Sequence, residues 1–284
     1  MKRKEYRGTS FNLPCNRHLW KVLGEYDALM QYAECAIISF EEQSLASGLS
    51  FQEFLKSQAE KMSHPISNLS FMYPRQILHN LYLILPYSCL DTYIDGLVQN
   101  MRELGFNNFS IADTKGVSKL ENLRTALLRV GIIPKFDEFN IPIFKYYRLL
   151  RNKFSHNITS TKDVEILNAY KNVINFKDEI DYRFKNVNSL KYVGKLEFAD
   201  YILCTANIKN ICDKIVISIE SHINWDNYII KKEINKGIKR IKGLNEKRQL
   251  CYVNNFILTR FSIFLPESSY RKILKNSIEY IESI

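Results

Sequence analysis

The fold is best judged from residues 142–156, which read PIFKYYRLLRNKFSH. A proline at the start of such a stretch is typical of the first turn of a helix, where its missing amide hydrogen is not needed. Each residue of an α-helix advances by ~100°, so the apolar residues fall on one side: Ile143, Tyr146, Tyr147, Leu150 and Phe154. Pro142 therefore opens a predicted core helix over Ile143–His156 that buries this stripe.

The opposite side of the predicted helix is polar and carries, in order around it, Arg151, Ser155, Arg148, Asn152 and His156. A guanidinium recognises phosphate through paired donors, and an imidazole exchanges its proton near neutral pH. Arg151 and His156 together therefore suggest cleavage of a phosphodiester without a metal ion. Lys153 adds a further positive charge to the same stretch.

The spacing of these residues sets a geometric condition on any shared site. Arg151 and His156 lie ~140° apart on an ideal helix, so one phosphate reaches both only if the helix distorts at its end or a second copy of the chain completes the site. Asn152 and His156 are four residues apart and face each other. We expect the Asn152 amide either to hold the imidazole in one tautomer or to contact the substrate.

Helical periodicity extends over most of the chain and predicts an all-α protein. The predicted helices cover about Leu19–Ala46, a segment capped by Ser50, Arg75–Leu104 with a kink at Pro86, Ser118–Val130, Asp163–Phe184, Ala199–Ser221, Trp225–Lys242, Glu246–Leu265 and a last segment from Ser268. Residues 106–116 are predicted as a loop. Residues 187–198, around Gly194, are predicted as a short β-hairpin or an irregular link.

Charge is distributed unevenly along the 284 residues. Residues 1–100 carry nine Lys/Arg and ten Asp/Glu, whereas residues 101–284 carry 31 and 20, and the whole chain has a net charge of +10. The basic part contains the Arg151/His156 stretch, which favours a polyanionic partner.

The remaining composition points to a cytoplasmic protein. Six cysteines contain no CxxC pair and are interpreted as core residues in a reducing compartment. The basic N-terminus is not followed by an apolar signal segment, and the longest apolar run is too short to cross a bilayer. His18, His64, His79 and His222 have no ligand at metal-binding spacing, so we predict neither a metal site nor a cofactor. Asp91 and Asp95 are interpreted as helix-surface residues.

The pattern of Arg151, Asn152 and His156 resembles the signature of the HEPN superfamily, helical proteins of prokaryotic toxin, phage-defence and RNA-processing systems. That signature is Arg, four to six residues and then His, commonly with a polar residue directly after the Arg, and this chain contains one such match. The resemblance covers roughly residues 70–222. Residues 1–69 are predicted as an additional N-terminal helical segment and residues 223–284 as a basic C-terminal one, packed with the rest as one unit.

The resemblance implies an endoribonuclease. It gives His156 the proton transfer, Arg151 the stabilisation of charge on the phosphate, and Asn152 a positioning role, with a ribose 2′-OH as the internal nucleophile. It also implies RNA, including transfer RNA, as substrate, a homodimer, an antitoxin or a trigger protein as partner, and a role in abortive infection, other antiviral defence or a toxin system. Arg148, Ser155 and Lys153 are predicted to contact substrate.

A second basic segment lies at residues 231–248, which contain eight Lys/Arg and two acidic residues. Lys239 and Arg240 within it are predicted to hold an RNA backbone. The alternative is the solvated face of an ordinary amphipathic helix, whose apolar stripe is Ile234, Ile238 and Ile241.

Two alternatives to catalysis remain open from the sequence. His156 is also the residue expected to interact with the last carbonyls of a helix, and Arg151 is also a plausible surface ion-pair partner. The chain would then be a non-catalytic helical module that binds RNA or protein, or a structural scaffold subunit.

Overall fold

The computed structural model describes residues 10–64, 74–156, 163–185, 188–230 and 243–283. The protein is all-α, as predicted. In the described ranges the extended structure is limited to one antiparallel bridge between Tyr192 and Lys195. Of the two alternatives predicted for residues 187–198, a short hairpin or an irregular link, the described residues 188–197 form the irregular link. No helix in these ranges has the length and apolar character needed to cross a membrane.

The helices are α1 (Pro14–Ala46), α2 (Phe51–Lys61), α3 (Pro74–Tyr82), α4 (Ile84–Glu103), α5 (Lys119–Arg129), α6 (Asn140–His156), α7 (Asp163–Ile174), α8 (Lys177–Phe184), α9 (Phe198–Glu220), α10 (Glu246–Phe261) and α11 (Glu267–Glu282). They form two compact units. One comprises the described residues within Met1–Trp20, Leu90–Phe136 and Asn210–Ile284, and the other those within Lys21–Cys89 and Asp137–Lys209. The second unit contains α6.

Capping boxes fix the beginnings of two described helices. Ser50 and Glu53 form a capping box at the start of α2, and Ser118 and Glu121 form the same motif at the start of α5. Each box satisfies two backbone amides that the first turn of a helix leaves without partners. The predicted N-cap at Ser50 and the predicted helix start at Ser118 are therefore confirmed.

The long helix predicted over Arg75–Leu104 is instead two helices, separated at Leu83. Pro86 lies in the first turn of α4, where a proline is tolerated. In a continuous helix its ring would press against the Tyr82 carbonyl four residues earlier, so the chain breaks before the proline instead of kinking at it. Gly105, with φ of 100°, ends α4 as predicted.

Two other predicted helices are also wrong in extent. The segment Asp163–Phe184 breaks at Asn175 and Phe176 into α7 and α8. The helix predicted from Trp225 does not begin there, because Trp225–Asn227 is one 3-10 turn and residues 228–230 are not helical. Residues 231–242 lie outside the described residues.

The 3-10 turn is held by an aromatic cluster within its own unit. The Trp225 ring lies 6.3 Å from Phe11 and 5.5 Å from Phe261, and Tyr228 packs edge-on against Phe261 at 5.8 Å. Burial of these rings provides more stabilisation than a helical turn at this point would. Tertiary packing has thus overridden the local helical pattern.

The cysteines match their interpretation only in part. All six are free; Cys15, Cys204 and Cys212 are buried, as expected of core residues, whereas Cys35 and Cys251 are exposed. Burial raises the pKa of the Cys15 thiol to about 12, which keeps it protonated and unreactive.

Candidate functional site on helix α6

Helix α6 is a rigid core element whose buried face matches the prediction. Ile143, Tyr146, Tyr147 and Leu150 are fully buried, and Phe154 is half-buried near the end of the helix. The helix packs against α7 and α3. The coreward orientation of the two tyrosines confirms that they are packing residues and not surface aromatics available to a base.

The start of α6 is fixed by a buried pair of amides. Asn140 donates to the Asn207 side-chain oxygen at 2.9 Å, and Asn207 donates to the Asn140 carbonyl at 3.0 Å. The Asn140 side-chain oxygen also accepts the Asp137 amide at 2.9 Å. These bonds explain why α6 begins at Asn140, two residues before the predicted opening at Pro142.

Two further buried bonds hold the middle of α6. The Tyr87 hydroxyl on α4 donates to the Phe144 carbonyl at 2.7 Å, and the Tyr147 hydroxyl donates to the Asp200 carboxylate on α9 at 2.7 Å. Buried hydroxyls are costly without partners, so both tyrosines fix the rotation of α6 about its axis. The polar face that follows is therefore presented by a helix with little freedom to turn.

Arg151 and Asn152 are brought together at the end of this helix. Both are half-buried, and an Arg151 terminal nitrogen donates to the Asn152 side-chain oxygen at 3.1 Å. The Nε of Arg151 is buried and has no hydrogen-bond partner among the residues that the structure describes. Within the part of the chain that is described, no carboxylate forms an ion pair with Arg151.

The positive charges near the end of α6 affect the pKa of a buried tyrosine, Tyr87. Burial raises the pKa of Tyr87 well above its ordinary value, and the charges of Arg148 and Arg151 oppose that rise. Both guanidinium groups therefore lie close to the buried Tyr87 hydroxyl. Arg148 is half-buried.

The other residues predicted to contact substrate differ in whether they are exposed or already paired. Lys153 donates to Asp163 at the start of α7 at 2.5 Å, so its charge is already paired. Ser155 is exposed. Lys239 and Arg240 lie outside the described residues.

His156 is the last residue of α6, and its side chain is not among those described. The helical backbone continues to this residue, so no break between Arg151 and His156 brings the two positions to the same side. They are separated by ~140° around the axis and ~7.5 Å along it. The Asn152 oxygen accepts from Arg151, which leaves its amide hydrogens for another partner.

A buried ionic network elsewhere in the same unit has no counterpart in the sequence prediction. The two ring nitrogens of His79 lie 3.1 Å from the Leu196 carbonyl and 3.0 Å from a Glu34 carboxylate oxygen. Arg75 also donates to Glu34, with Nε at 2.9 Å, and forms an ion pair with Glu41 at 3.3 Å. Since a carbonyl and an ionised carboxylate can only accept, His79 satisfies both when each ring nitrogen carries a proton.

This network joins α1, α3 and the residues before α9, and its role is structural. His79 and Glu34 are both buried, so a substrate has no access to the imidazole. Burial alone would raise the pKa of Glu34, but hydrogen bonds from His79 and Arg75 lower it below its ordinary value. This network could not be predicted from the sequence, because Glu34 and His79 are 45 residues apart.

Other candidate groups remain on the surface. Asp95 is exposed and lies 3.7 Å from Lys119, as its interpretation as a helix-surface residue requires. In the described ranges, no three or more His, Cys, Asp or Glu side chains converge in a way that could hold a metal ion.

The chain matches no family model, and comparisons with curated proteins and with solved structures gave no significant match. The HEPN resemblance therefore rests on Arg151, Asn152 and His156 and on their position at the end of α6.

Proposed function

We propose that this protein is a metal-independent endoribonuclease of the HEPN type, with its catalytic groups at the C-terminal end of α6. The observation that supports this most directly is the state of Arg151. Its guanidinium has no carboxylate partner among the described residues, its Nε is buried without a hydrogen-bond partner, and it lies beside Asn152. A guanidinium with unused donors is suited to the non-bridging oxygens of a phosphate.

In the proposed reaction, His156 acts as general base and takes the proton from a ribose 2′-OH. The 2′-oxygen then forms a bond to phosphorus while the bond from phosphorus to the 5′-oxygen breaks. A proton returns to the leaving 5′-oxygen, giving a 2′,3′-cyclic phosphate and a 5′-hydroxyl. Arg151 stabilises the charge that develops on the phosphate oxygens, and Asn152 positions either the arginine or the substrate.

The proposal includes a second copy of the chain. Because α6 continues as a helix to His156, the positions of Arg151 and His156 in one chain lie on different sides of the helix axis. An antiparallel approach of two α6 ends about a two-fold axis brings the Arg151 of each chain towards the His156 of the other. Two equivalent sites then form, each using one residue from each chain.

The first test compares cleavage of transfer RNA and total RNA by wild type, His156→Ala and Arg151→Ala, with a chelator present. We expect cleavage by wild type alone, ending in cyclic phosphates, and no cleavage of DNA, which lacks the 2′-OH. His18→Ala is the matched control because His18 is an exposed histidine far from α6 in sequence. Equal cleavage by wild type and His156→Ala would remove His156 from the chemistry.

A mixing experiment tests the shared site separately. When inactive Arg151→Ala and His156→Ala chains are mixed and allowed to exchange, half of the dimers are mixed, and each has one site with both residues intact. We expect about one quarter of wild-type activity to return. If each chain carries a complete site of its own, no activity returns at any mixing ratio.

The same geometry gives a specific reason for a second candidate function, a non-catalytic helical module that binds RNA or a protein. Since Arg151 and His156 do not face one side of a single helix, a chain that stays monomeric has a cationic surface without a converged catalytic pair. RNA binding that survives His156→Ala, without cleavage by either form, supports this candidate.

The biological role of the proposed nuclease follows from the resemblance alone. It is abortive infection, another form of antiviral defence or a toxin system, with an antitoxin or a trigger protein holding or releasing the activity. Induced expression of wild type and of His156→Ala distinguishes this role, because toxicity is expected only from the former.

A further inference from the structure

Residues 188–197, here called the 188–197 loop, are held against the helical core by several buried and part-buried polar contacts. The Asp200 carboxylate accepts the amides of Leu190 at 2.9 Å and Glu197 at 2.8 Å. The Tyr170 hydroxyl of α7 donates to the Leu190 carbonyl at 2.9 Å. The Tyr146 hydroxyl of α6 accepts the Gly194 amide at 3.3 Å.

The far end of the loop is fixed from α3. Gln76 donates to the Leu196 carbonyl at 3.0 Å, and a His79 ring nitrogen lies 3.1 Å from the same oxygen. Four helices, α3, α6, α7 and α9, therefore contribute side chains that hold one short loop. Surface connections are commonly more mobile than the helices they join, so a loop held from four helices is a candidate for a function beyond the connection itself.

The loop also contains one backbone conformation that is unfavourable for its residue, at Leu190. Leu190 has φ of 60°, a left-handed conformation that branched and bulky side chains rarely adopt. Gly194 has φ of 71°, as the third residue of the tight turn between Tyr192 and Lys195 requires. Strain maintained by surrounding contacts is commonly found where a protein presents a functional group.

The group presented at the tip is an aromatic ring beside positive charges. Tyr192 is 53% exposed although its loop is fixed, and the Lys195 ammonium lies over one face of its ring, 5.4 Å from the centre. Lys191 is also at the tip, in an exposed ion pair with Glu197 at 3.3 Å. Val193 completes the exposed tip.

We propose that Tyr192 is a stacking platform for an unpaired base of single-stranded RNA, which stacks on the ring face opposite Lys195, while Lys195 contacts the backbone phosphates. A fixed, exposed aromatic ring next to a cation is the combination that single-strand binding proteins use, because every base has a face that can stack. The choice of RNA rests on the proposed function. A protein partner is disfavoured because one ring and one valine expose far less apolar surface than a stable protein interface of roughly 800 Å² per partner buries.

The location of the platform fits a strand that continues to the proposed catalytic end of α6. Tyr146, which holds Gly194, precedes His156 by ten residues, about 15 Å along the helix axis. A few unpaired nucleotides span this distance. Tyr192 therefore binds a base upstream or downstream of the cleaved bond and takes no part in the chemistry.

The experiment uses the full-length wild-type chain and a single-stranded oligoribonucleotide that carries 2′-O-methyl sugars and one 2-aminopurine. This probe has no 2′-OH and cannot be cleaved, so binding is measured whether or not the protein is a nuclease. We compare wild type with Tyr192→Ala, Tyr192→Phe and Lys195→Ala. Tyr182→Ala is the matched control, because Tyr182 is 88% exposed on α8.

We expect Tyr192→Ala to weaken binding by about 5- to 150-fold, the range that corresponds to stacking of one base on one aromatic ring. Tyr192→Phe keeps the ring and should bind like wild type, and Tyr182→Ala should have no effect. Quenching of 2-aminopurine fluorescence should appear with wild type and Tyr192→Phe and disappear with Tyr192→Ala. Lys195→Ala should reduce the salt dependence of binding by about one phosphate contact.

The inference is overturned if Tyr192→Ala binds within twofold of wild type, or if Tyr192→Phe loses as much as Tyr192→Ala. Its failure is distinguishable from failure of the proposed nuclease. Cleavage that requires His156, together with binding that ignores Tyr192, refutes only the platform. Binding that requires Tyr192, in a chain that cleaves no RNA, supports the platform independently of the catalysis.

Discussion

Replacing Asp200 with alanine should loosen the connection between α6 and the 188–197 loop more than any other single substitution in this region. The Asp200 carboxylate is buried and accepts three donors: the Tyr147 hydroxyl at 2.7 Å, the Leu190 amide at 2.9 Å and the Glu197 amide at 2.8 Å. Alanine removes the acceptor from all three. The donors remain in place, because they belong to α6 and to the backbone of the loop.

The magnitude follows from the number of donors left without a partner. A buried donor that loses its acceptor costs about 1–3 kcal/mol. Three donors at the lower limit give about 3 kcal/mol, and we expect a loss of about 3–4 kcal/mol because water can enter the space that the carboxylate leaves. Asp200→Asn should lose less, about 1–2 kcal/mol, since its remaining oxygen still serves the Tyr147 and Leu190 donors.

The pH dependence has a definite sign. Burial raises the pKa of Asp200 above its ordinary value of 3.8, so the folded protein holds this proton more tightly than the unfolded chain does. The contribution of Asp200 to the free energy of unfolding is therefore largest below pH 3.8 and declines as the pH rises through the raised folded value. Asp200→Asn should lack this decline.

Hydrogen exchange of the peptide that covers residues 188–200, combined with urea unfolding, measures the effect. A loss of 3 kcal/mol corresponds to roughly a hundredfold increase in opening of the Leu190 and Glu197 amides. The exposed Asp113→Ala is the control and should change stability by less than about 0.5 kcal/mol. Tyr147→Phe should have little further effect once Asp200 is alanine. A loss below about 1 kcal/mol for Asp200→Ala, or full additivity of the two substitutions, would refute this account.

Three further predictions concern stability and substrate binding. Glu34→Gln should lower the free energy of unfolding by about 1–3 kcal/mol at pH 7. The difference from wild type should shrink as the pH falls below 4.5, because the pKa of Glu34 is lowered in the folded protein and its contribution is lost in acid. Urea unfolding at pH 7 and pH 3.5 measures this difference. Ser118→Ala removes the capping box of α5 and should cost about 1 kcal/mol, seen as a melting temperature lower by a few degrees. Lys153→Ala should reduce RNA binding and cleavage much less than Arg151→Ala, because Lys153 is already paired with Asp163; a larger effect of the lysine would contradict this assignment.

The sequence predicted the helices where local chemistry determines them. Ser50 and Ser118 are followed three residues later by glutamate, a pattern that identifies a helix start. The break at Leu83 was misplaced by three residues, because a proline acts on the preceding turn and not at its own position. The break between α7 and α8 has no proline or glycine to mark it, and nothing in the residues themselves indicates it.

The candidate site also has features that the sequence predicted and features that it could not predict. The periodicity predicted the order of Arg151, Asn152 and His156 around α6, since all three belong to one helix. The groups that fix this helix could not be predicted, because their partners lie far away in sequence: Asp200 is 53 residues from Tyr147, and Asn207 is 67 from Asn140. Tertiary contacts of this kind leave no periodic signal.

The charge at the end of α6 can be weighed against what the helix itself requires. The last carbonyls of a helix carry about half a negative elementary charge, which one nearby cation offsets. The last nine residues of α6 include Arg151 and Lys153. Lys153 is neutralised by Asp163 at the start of α7, whereas no carboxylate among the described residues pairs with Arg151. Arg151 alone exceeds the helix's own negative charge, so the local potential is positive and attracts an anion from solution. A purely structural cap would need only one of these residues, and for that reason we interpret the end of α6 as an anion-binding surface.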